Sequence, residues 1–489
     1  MSSSTGPSPD VPRPLVVGFD LDMTLIDARA GIRAAWVALS RETGVPVDAD
    51  LVVTRLGPPV ETEVANWFPA EDVDRVAARY RAIYAHVGAT GVVAMPGAVQ
   101  ALAAVRAQHG SSVAVTAKHE PNARLNVDHL GLDLDEVVGD LWAEAKGHVL
   151  AYLGGSIYVG DHVHDILGAR TGGATAVAVA TGPCTRSDLE AAGADVVLDS
   201  LIDFPAWLGA HLLDVRAASL LERLAALESV MVAFSGGADS ALLLAAAVRA
   251  LGPGRVVAAT AYSDSLPRSE RGPAAEFAAA LGVRLVTPAT HEMDREGYRA
   301  NGGDRCYFCK AELLDVLRPL ADDLGVADVA TGTNADDAVA DFRPGIRAAA
   351  ERGAVTPLRD AGLTKAQVRE LSRRWGLPTW DKPAAACLSS RIAYGIEVSP
   401  YRLARVERAE AGVRDALRAA GVAIADLRVR DLDGRVRIEV DAPAVQAVQA
   451  CEAALDAVRA AGFAGADIDV VAFRSGAMNL LLEPLPARG

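Results

Sequence analysis

Carboxylates gather at the predicted ends of strands in the first part of the chain. The run VVGFDLDMTLID places Asp20 and Asp22 directly after an apolar strand. A later strand ends at Thr116, and the run YVGDHVHD ends another strand with Asp161 and Asp165. Side chains at i and i+2 of an extended segment point the same way, and parallel strands share one carboxyl edge. Because close carboxylates repel one another, this set requires a cation, and oxygen ligands suit Mg²⁺.

A second kind of chemistry is indicated by the run MVAFSGGADSALLLAAAV, which has the pattern of a strand, a glycine turn and a helix. The turn begins at Ser235, and Gly236 and Gly237 let the backbone approach a phosphate. Asp239 and Ser240 lie at the helix start, where unpaired N–H groups and the helix dipole favour an anion. The lysine that a kinase-type loop requires does not follow. Polar residues also end a later strand of the same sheet: Thr333, Asn334, Asp336 and Asp337.

Three of the five cysteines accompany this second set. Cys306 and Cys309 lie in the run GDRCYFCK, with a basic residue on either side, and Cys387 lies in PAAACLSSRI. Such a pair could be half a zinc site, a redox couple or part of another arrangement. Zinc takes four ligands, and no second C-x-x-C or histidine pair at zinc spacing is present in the sequence. Cys387 is the candidate third partner, whereas Cys184 and Cys451 fit buried structural cysteines.

Arginines near the end of the chain could bind a phosphate. Arg428 and Arg430 share one face of a predicted strand, and Arg474 lies in the run FRSGAMN. Guanidinium groups match the geometry of phosphate oxygens. Glu407 and Glu410, on a helical stretch, could hold a metal, although solvated surface charge explains them equally well.

The composition excludes several classes of protein. A chain of 489 residues is too long for one domain, and 51% hydrophobic with 23% charged residues is typical of a soluble α/β protein. A net charge of −15 opposes non-specific binding to nucleic acid. We expect no membrane span, because no apolar run is long enough. Residues 1–13 are polar and predict a disordered tail, and the few scattered cysteines predict a cytoplasmic protein with reduced thiols.

The elements that position these residues alternate between short Val/Ile/Leu-rich runs and longer stretches with helical spacing. This alternation is typical of βαβ units around a parallel sheet. It predicts five strands between residues 14 and 198, four between 230 and 333, and a hairpin around Asp433-Gly434. We therefore expect an α/β fold with two doubly wound parallel-sheet domains and a small α+β region. The predicted domains are 14–212, 213–400 and 401–489.

The first domain resembles the haloacid dehalogenase-like phosphatases through its ordered set of strand-end carboxylates. The resemblance implies a Rossmann-like sheet with a helical cap at about residues 28–94. It implies that Asp20 is the nucleophile that takes the phosphoryl group, that Asp22 is the general acid/base, and that Thr116 holds a phosphoryl oxygen. The implied ligands of Mg²⁺ are Asp20, Asp22, Asp161 and Asp165.

One role in this domain has two candidates, and one position departs from that family. Lys146 would steady charge at the site, but Lys118 competes with it for the same role. Met23 stands where the family usually has glycine.

The run SGGADS resembles the PP-loop ATP pyrophosphatases, which cleave ATP between its α- and β-phosphates. Together with CYFCK, CLSSR and FRSGAMN, it resembles the LarE-type sulfur transferases of nickel-pincer cofactor synthesis over about residues 215–489. The resemblance implies adenylation of pyridinium-3,5-biscarboxylic acid mononucleotide and its conversion to a thiocarboxylate. Arg428, Arg430 and Arg474 would hold the substrate phosphate. The implied ATP-binding residues are Ser235, Gly236, Gly237, Asp239, Ser240, Thr333, Asn334 and Asp336.

The family resemblance leaves two roles open for the cysteines. In one, Cys306, Cys309 and Cys387 hold three irons of a [4Fe–4S] cluster, and the free fourth iron carries a sulfide. In the other, Cys387 gives up its own sulfur and the other two are structural. We favour the cluster, because a sacrificial site needs only one cysteine and this chain has three.

Other functions remain as alternatives. Amide-forming synthetases also use a PP-loop, but they have no use for CYFCK with Cys387. A tRNA thiolase combines a PP-loop with cysteines, but the acidic chain has no basic, aromatic RNA-binding segment. A catalytically silent nucleotide-binding regulator is the third alternative. We expect small-molecule nucleotide substrates, ATP and Mg²⁺ as cofactors, no nucleic-acid partner and a homo-oligomer.

Overall fold

The computed structural model describes residues 15–339, 344–383 and 387–474. The chain divides into two compact units, with the division between Leu212 and Leu213. The predicted tail and the part of FRSGAMN beyond Arg474 lie outside the described residues. None of the described helices has both the length and the apolar character that crossing a bilayer requires.

A parallel sheet forms the centre of the first unit. The strands of this unit are β1 (Val16–Phe19), β2 (Ile26–Asp27), β3 (Val93–Ala94), β4 (Ser111–Val115), β5 (Glu136–Val138), β6 (Ile157–Gly160), β7 (Thr175–Val179) and β8 (Val196–Leu198). Six of them pair in the order β5-β4-β1-β6-β7-β8. Phe19 of β1 lies opposite Val159 of β6. The carboxyl ends of β1, β4 and β6 therefore lie side by side, and Asp20, Thr116 and Asp161 follow them at one sheet edge.

Helices alternate with these strands along the chain, and the last of them extends past Leu212 into the second unit. They are α1 (Arg29–Thr43), α2 (Ala49–Val52), α3 (Val60–Val64), α4 (Val73–Val87), α5 (Ala98–Ala107), α6 (Glu120–Leu130), α7 (Glu144–Tyr152), α8 (Val163–Thr171), α9 (Arg186–Ala191) and α10 (Phe204–Ala225). The first four occur between β2 and β3, which pair antiparallel as a two-stranded ribbon. Helices α1 and α4 pack together around Trp36 and Tyr80, whose ring centroids are 4.8 Å apart.

The second unit is built on another parallel sheet. Its strands are β9 (Val230–Ala233), β10 (Val256–Ala259), β11 (Arg284–Val286) and β12 (Asp328–Thr331), in the order β11-β10-β9-β12. Its first helices are α11 (Ala238–Leu251), α12 (Arg271–Ala280), α13 (Glu296–Arg299), α14 (Arg305–Asp323), α15 (Ala335–Val339), α16 (Pro344–Glu351), α17 (Pro357–Asp360) and α18 (Lys365–Arg374). Helix α11 is buried almost throughout, because its sequence is nearly all alanine and leucine. The predicted α/β class with parallel sheets is confirmed.

A smaller mixed sheet completes the second unit. It consists of β13 (Leu427–Asp431), β14 (Arg435–Val440) and β15 (Asp467–Ala472), with helices α19 (Pro400–Ala419), α20 (Val445–Ala450) and α21 (Glu452–Ala460). The hairpin prediction is confirmed: Asp433 and Gly434 have φ of 56° and 89°, as a tight turn between twisted strands requires. Strand β15, parallel to β14, was not among the predicted strands.

Strand β5 was also missing from the prediction. It has only three residues, and Glu136 among them is exposed, so no apolar alternation marks it. It pairs with β4, and Asp135, directly before it, accepts a hydrogen bond from the backbone N–H of Ser112 at 2.8 Å. Such a short edge strand is specified by its neighbour and not by its own pattern.

Close packing of α7 on α8 depends on Gly147. A Cβ atom at this position would lie 2.3 Å from the carbonyl oxygen of Gly168 and 2.7 Å from Cβ of Thr171. The preceding residue, Lys146, is buried. The two helices therefore approach closely where that lysine enters the core.

We expect the Gly147→Ala variant to lower the free energy of unfolding by roughly 1–3 kcal/mol, because α7 must move away from α8. Thermal unfolding measures this. The matched control is Gly209→Ala, since a Cβ there meets nothing within 4 Å. The control should be neutral or stabilising, because alanine favours a helix over glycine by about 1 kcal/mol. Equal stability of Gly147→Ala and wild type would contradict the packing role.

Candidate active sites

Three buried aspartates meet at the carboxyl edge of the first sheet. One oxygen from each of Asp20, Asp161 and Asp165 lies within 4.8 Å of the others. The backbone N–H of Asp20 donates to the carbonyl of Val159 at 2.8 Å, which continues the pairing of β1 with β6. Asp165 is fixed in the first turn of α8, where its carboxylate accepts from the N–H of His162 at 3.0 Å. The strand ends and this helix cap together hold the three carboxylates.

Lys146 provides the positive charge at this cluster. Its Nζ lies 2.9 Å from Oδ1 of Asp20 and 2.6 Å from Oδ1 of Asp165. Burial lowers the pKa of Lys146, but the two carboxylates outweigh this and raise it well above the usual value. Burial, followed by Asp165 and Asp20, raises the pKa of Asp161 well above its usual range.

The charges of this cluster do not balance. Three carboxylates and one ammonium group leave an excess of two negative charges when all are ionised. Burying such an excess is costly without a further cation. A divalent ion that prefers oxygen ligands would balance it, so these residues fit Mg²⁺.

Asp22 lies outside this cluster of three. Its carboxylate accepts from Nζ of Lys118 at 2.9 and 3.1 Å, and Lys118 lies 4.4 Å from the ring centroid of Tyr84. Strand β1 ends at Phe19, so the extended geometry that would align positions 20 and 22 no longer holds. The structure thus separates the Asp22 carboxylate from the predicted metal ligands and pairs it with Lys118. Burial raises the pKa of Asp22, although Lys118 lowers it.

The backbone conformation of Met23 is one that would suit glycine in the turn after β1. Its φ is 64°, in the left-handed region that favours glycine. The side chain is buried, and its backbone carbonyl accepts from Oγ1 of Thr181 at 2.6 Å. Burial and this hydrogen bond hold a conformation that methionine adopts at a cost.

A cavity of about 100 Å³ opens between this edge and helices α1–α4. Thr116 lines it together with Asp20 and Asp22. The opposite wall is aromatic and apolar, and Arg55 and Arg81 line it as well. The cavity can therefore place a small phosphoester with its phosphorus toward Asp20.

The glycine turn of the second unit forms a second cavity, of about 280 Å³. Gly236 has a φ of 72°, which lets the chain turn sharply into α11. The Ser240 hydroxyl accepts from the backbone N–H of Ser235 at 3.2 Å and donates to the carbonyl of Gly237 at 3.1 Å. A Cβ atom at Gly332 would lie 2.9 Å from the N of Ser240, so the residue after β12 must be glycine where the chain passes the loop. This cradle of backbone groups fits phosphate oxygens.

Asp239 links the loop to the end of β12. Its carboxylate forms an ion pair with Nζ of Lys365 and accepts from the side-chain amide of Asn334 at 3.3 Å. Asp336 accepts from the backbone N–H of Lys365 at 2.8 Å. Thr333 lines the cavity. The structure therefore brings the predicted ATP-binding residues together at one sheet edge.

Three lysines at this site were missed from the sequence. Lys310 lines the cavity, and burial lowers its pKa although Cys309 and Asp337 act to raise it. Lys382 donates to the carbonyl of Gly236 at 3.0 Å, and Lys365 holds Asp239. Lys310 follows Cys309 directly and lies four residues after Cys306, so helical spacing could have placed it beside them. Lys365 and Lys382 carry no such signal, because only the tertiary fold brings them to the loop.

The three cysteines of interest lie in one neighbourhood. Cys306 and Cys309 are one turn apart at the start of α14. Burial, followed by the Cys387 thiol, raises the pKa of the Cys309 thiol well above its usual range. The three sulfur atoms do not all lie within 4.8 Å of one another. Thiolates 2.3 Å from one zinc ion would lie within about 4 Å of one another, so this spacing does not fit a single tetrahedral zinc. Thiolates are the donors that iron–sulfur clusters use, so these three residues fit such a centre by the chemistry of their side chains.

The predicted phosphate-binding arginines differ in their surroundings. Arg430 is buried, donates to Oε2 of Glu439 at 3.0 and 2.7 Å, and donates to the carbonyl of Ser390 at 2.7 Å. Its guanidinium therefore joins the hairpin to the segment after Cys387, which differs from the predicted role in substrate binding. Arg428 lies 4.4 Å from the ring centroid of Phe473, and Arg474 is exposed.

The two glutamates considered for a metal are also engaged. Glu410 accepts from Nε of Arg391 at 2.9 Å and from the backbone N–H of Val429 at 3.1 Å. Glu407 accepts from the backbone N–H of Arg268 at 2.6 Å. These contacts tie α19 to its neighbours and account for both carboxylates.

Comparison with known proteins gives two sets of relatives. Residues 17–179 match the sequence model of the haloacid dehalogenase-like hydrolases. A probable phosphatase of Dickeya dadantii, IndB, is 32% identical over 210 residues, which is 38% of this chain and 90% of that protein. A solved haloacid dehalogenase-like hydrolase from Streptococcus pneumoniae is 24% identical, with a TM-score of 0.36, and covers 40% of this chain and 98% of its own.

The second set covers more of the chain. An uncharacterised protein of Synechocystis is 38% identical over 274 residues, which is 55% of this chain and 99% of that protein. The pyridinium-3,5-bisthiocarboxylic acid mononucleotide synthase of Lactiplantibacillus plantarum is 31% identical over 268 residues, 55% of this chain and 95% of that protein.

We expect Mg²⁺ to stabilise the wild-type protein and not the Asp161→Asn variant. Binding at 100 times the Kd adds about 2.7 kcal/mol, and the variant removes one of three charged ligands. In EDTA the variant should be at least as stable as wild type, because it loses a poorly compensated buried charge but keeps an oxygen for the Thr24 hydroxyl. Thermal unfolding with and without Mg²⁺ measures both effects. The exposed Asp133→Asn is the control, and a variant that responds to Mg²⁺ as wild type does would contradict the ligand assignment.

Proposed function

We propose that this chain is a bifunctional enzyme of nickel-pincer cofactor synthesis. It belongs both to the haloacid dehalogenase-like hydrolases and to the LarE-type family of pyridinium-3,5-bisthiocarboxylic acid mononucleotide synthases. The second unit would use ATP to adenylate a carboxylate of pyridinium-3,5-biscarboxylic acid mononucleotide and convert it to a thiocarboxylate. The first unit would be a Mg²⁺-dependent phosphatase of a small phosphoester.

One observation carries the proposal for the second unit. Helix α14 borders the loop cavity through Lys310 and Leu313, and it carries Cys306 and Cys309 in its first two turns. A carboxylate activated at the loop would therefore lie close to sulfur ligands. Amide-forming synthetases need no such neighbourhood.

The proposed reaction has two steps. A carboxylate oxygen attacks the α-phosphorus of ATP, the bond to the bridging oxygen of the β-phosphate breaks, and pyrophosphate leaves. A sulfur nucleophile then attacks the acyl carbon, the bond to the phosphate oxygen of AMP breaks, and a thiocarboxylate remains. The turn at Ser235–Ser240 would hold phosphate oxygens through its backbone, and Lys310 would offset their charge.

In the phosphatase half, Asp20 would attack the phosphorus while Asp22 gives a proton to the departing ester oxygen. Water would then release the phosphate from Asp20, with Asp22 taking its proton. The raised pKa of the buried Asp22 suits a group that donates a proton. Mg²⁺ held by Asp20, Asp161 and Asp165 would supply positive charge to the phosphoryl oxygens. Lys146 would keep the Asp20 and Asp165 carboxylates in place.

We expect Asp239→Ala to abolish substrate-dependent formation of AMP and pyrophosphate, because Lys365 and Asn334 both lose their acceptor at the loop. Chromatography of nucleotides after incubation with ATP and the biscarboxylic acid mononucleotide measures it. Activity on a generic aryl phosphate should be unchanged. Asp20→Asn is the matched control and should lose activity on the aryl phosphate while it still forms AMP and pyrophosphate. Formation of ADP by wild type would refute adenylation.

Anaerobic reconstitution distinguishes the two roles of the cysteines. On the cluster hypothesis, wild type binds about four irons per chain, and Cys306→Ala, Cys309→Ala and Cys387→Ala each lose them. Cys184→Ala is the control and should retain iron. A wild type without iron that loses one sulfur and two hydrogens from Cys387 after a turnover would instead establish the sacrificial mechanism by intact mass.

A further inference from the structure

Arg305, the basic residue that precedes Cys306, is buried at the start of α14. It is 4% exposed. A guanidinium removed from water is costly unless an opposite charge lies nearby. The partners of Arg305 therefore show what the site around it requires.

The hydrogen-bond partners of Arg305 are neutral. Its Nη1 donates to Oδ1 of Asn301 at 2.5 Å and to the carbonyl of Ser389 at 2.9 Å. Its guanidinium lies 5.5 Å from the ring centroid of Tyr394. Among residues 15–339, 344–383 and 387–474, no carboxylate pairs with it. The other two buried arginines of this region each have one, since Arg391 pairs with Glu410 and Arg430 with Glu439.

The guanidinium is also held in place. Asn301 is fully buried and has a φ of 54°, and its amide Nδ2 donates to the carbonyls of Ala393 and Ile396 at 2.8 and 2.9 Å. These bonds orient Oδ1 of Asn301 toward Arg305. The Ser389 hydroxyl is hydrogen-bonded to the buried Tyr298. Both hydrogen bonds from Nη1 of Arg305 therefore end on fixed acceptors, which hold the guanidinium in its buried position.

Among the groups near Arg305 that can carry negative charge, the Cys387 and Cys306 thiols affect its pKa more than the phenols of Tyr394 and Tyr298 do. Burial lowers the pKa of Arg305, but the Cys387 and Cys306 thiols raise it, and the net shift is upward. Arg305 also binds the backbone two residues after Cys387 and directly precedes Cys306 in sequence. The unbalanced positive charge and the sulfur ligands occupy the same neighbourhood.

We propose that Arg305 is the buried counter-ion of the sulfur centre held by Cys306, Cys309 and Cys387. This inference rests on the cluster in the proposed function. Three thiolates around an oxidised [4Fe–4S]²⁺ core carry one net negative charge, which one guanidinium neutralises. An added sulfide increases the negative charge and so the need for Arg305. The residue acts on the cluster through its charge and is not itself a sulfur carrier.

A fixed positive charge favours the more negative, reduced cluster, so Arg305 raises the reduction potential. Its replacement by a neutral residue of similar length should therefore lower that potential. A lysine at the same position keeps the charge and should keep the potential. This distinguishes a charge effect from hydrogen bonding to Asn301 and Ser389.

The experiment uses the full chain, reconstituted anaerobically, as wild type, Arg305→Gln, Arg305→Lys and the control Arg299→Gln. Arg299 is half-exposed, already lies 3.8 Å from Glu397, and its loss should have little effect. Iron content and circular dichroism are measured first. The reduction potential is then measured by a redox titration followed by electron paramagnetic resonance.

We expect Arg305→Gln to shift the reduction equilibrium at least tenfold toward the oxidised form, about 59 mV for one electron, while Arg305→Lys and Arg299→Gln stay close to wild type. Loss of iron from a folded Arg305→Gln with retention in Arg305→Lys also supports the proposal. Equal iron content and potential in all four proteins overturn it, as does equal loss in both Arg305 variants. A wild type that binds no iron overturns the cluster and this inference together but leaves ATP-dependent sulfur transfer to the sacrificial mechanism. Failure of the proposed function itself would be seen separately, as a lack of substrate-dependent AMP formation by wild type.

Discussion

Buried charge must be balanced, and both proposed sites follow from this constraint. In the first unit, the strand ends bring three carboxylates together and Lys146 offsets only one of them. In the second unit, Arg305 is buried beside thiols and pairs with no carboxylate among the described residues. The first site has an excess of negative charge that suits Mg²⁺, and the second has a positive charge that suits anionic sulfur. Elsewhere, pairs such as Arg430 with Glu439 are internally balanced and stabilise the fold.

The sequence was sufficient for those parts of the fold that local pattern decides. Asp20, Thr116 and Asp161 each follow an apolar strand, so the geometry of a parallel sheet places them together before any tertiary contact is known. The turn at Asp433-Gly434 is likewise determined by residues that tolerate positive φ. Strand β5 could not be found in this way, because it has only three residues and its pairing depends on β4. Strand β15 begins with alternating Asp467, Ile468, Asp469 and Val470, so its pattern was present in the sequence and was missed.

Side-chain partners were the least predictable part of both sites. Asp22 was expected among the metal ligands, but the turn after β1 directs it to Lys118. Arg430 was expected to bind phosphate, yet it pairs with Glu439, which lies opposite Arg428 in the strand register. The hairpin turn determines which residues of β13 and β14 lie opposite each other. The diagonal pairing of Arg430 with Glu439 depends instead on burial and on the Ser390 carbonyl. Lys365 and Lys382 come from distant segments, and no local spacing marks them.

We propose that activation and sulfur transfer occur together around helix α14. Mass spectrometry of the products, after anaerobic incubation of the full chain with ATP, sulfide and pyridinium-3,5-biscarboxylic acid mononucleotide, tests this proposal. We expect AMP, pyrophosphate and a mononucleotide in which one oxygen atom has been replaced by one sulfur atom. An unchanged mononucleotide with ADP as the nucleotide product would refute the proposal.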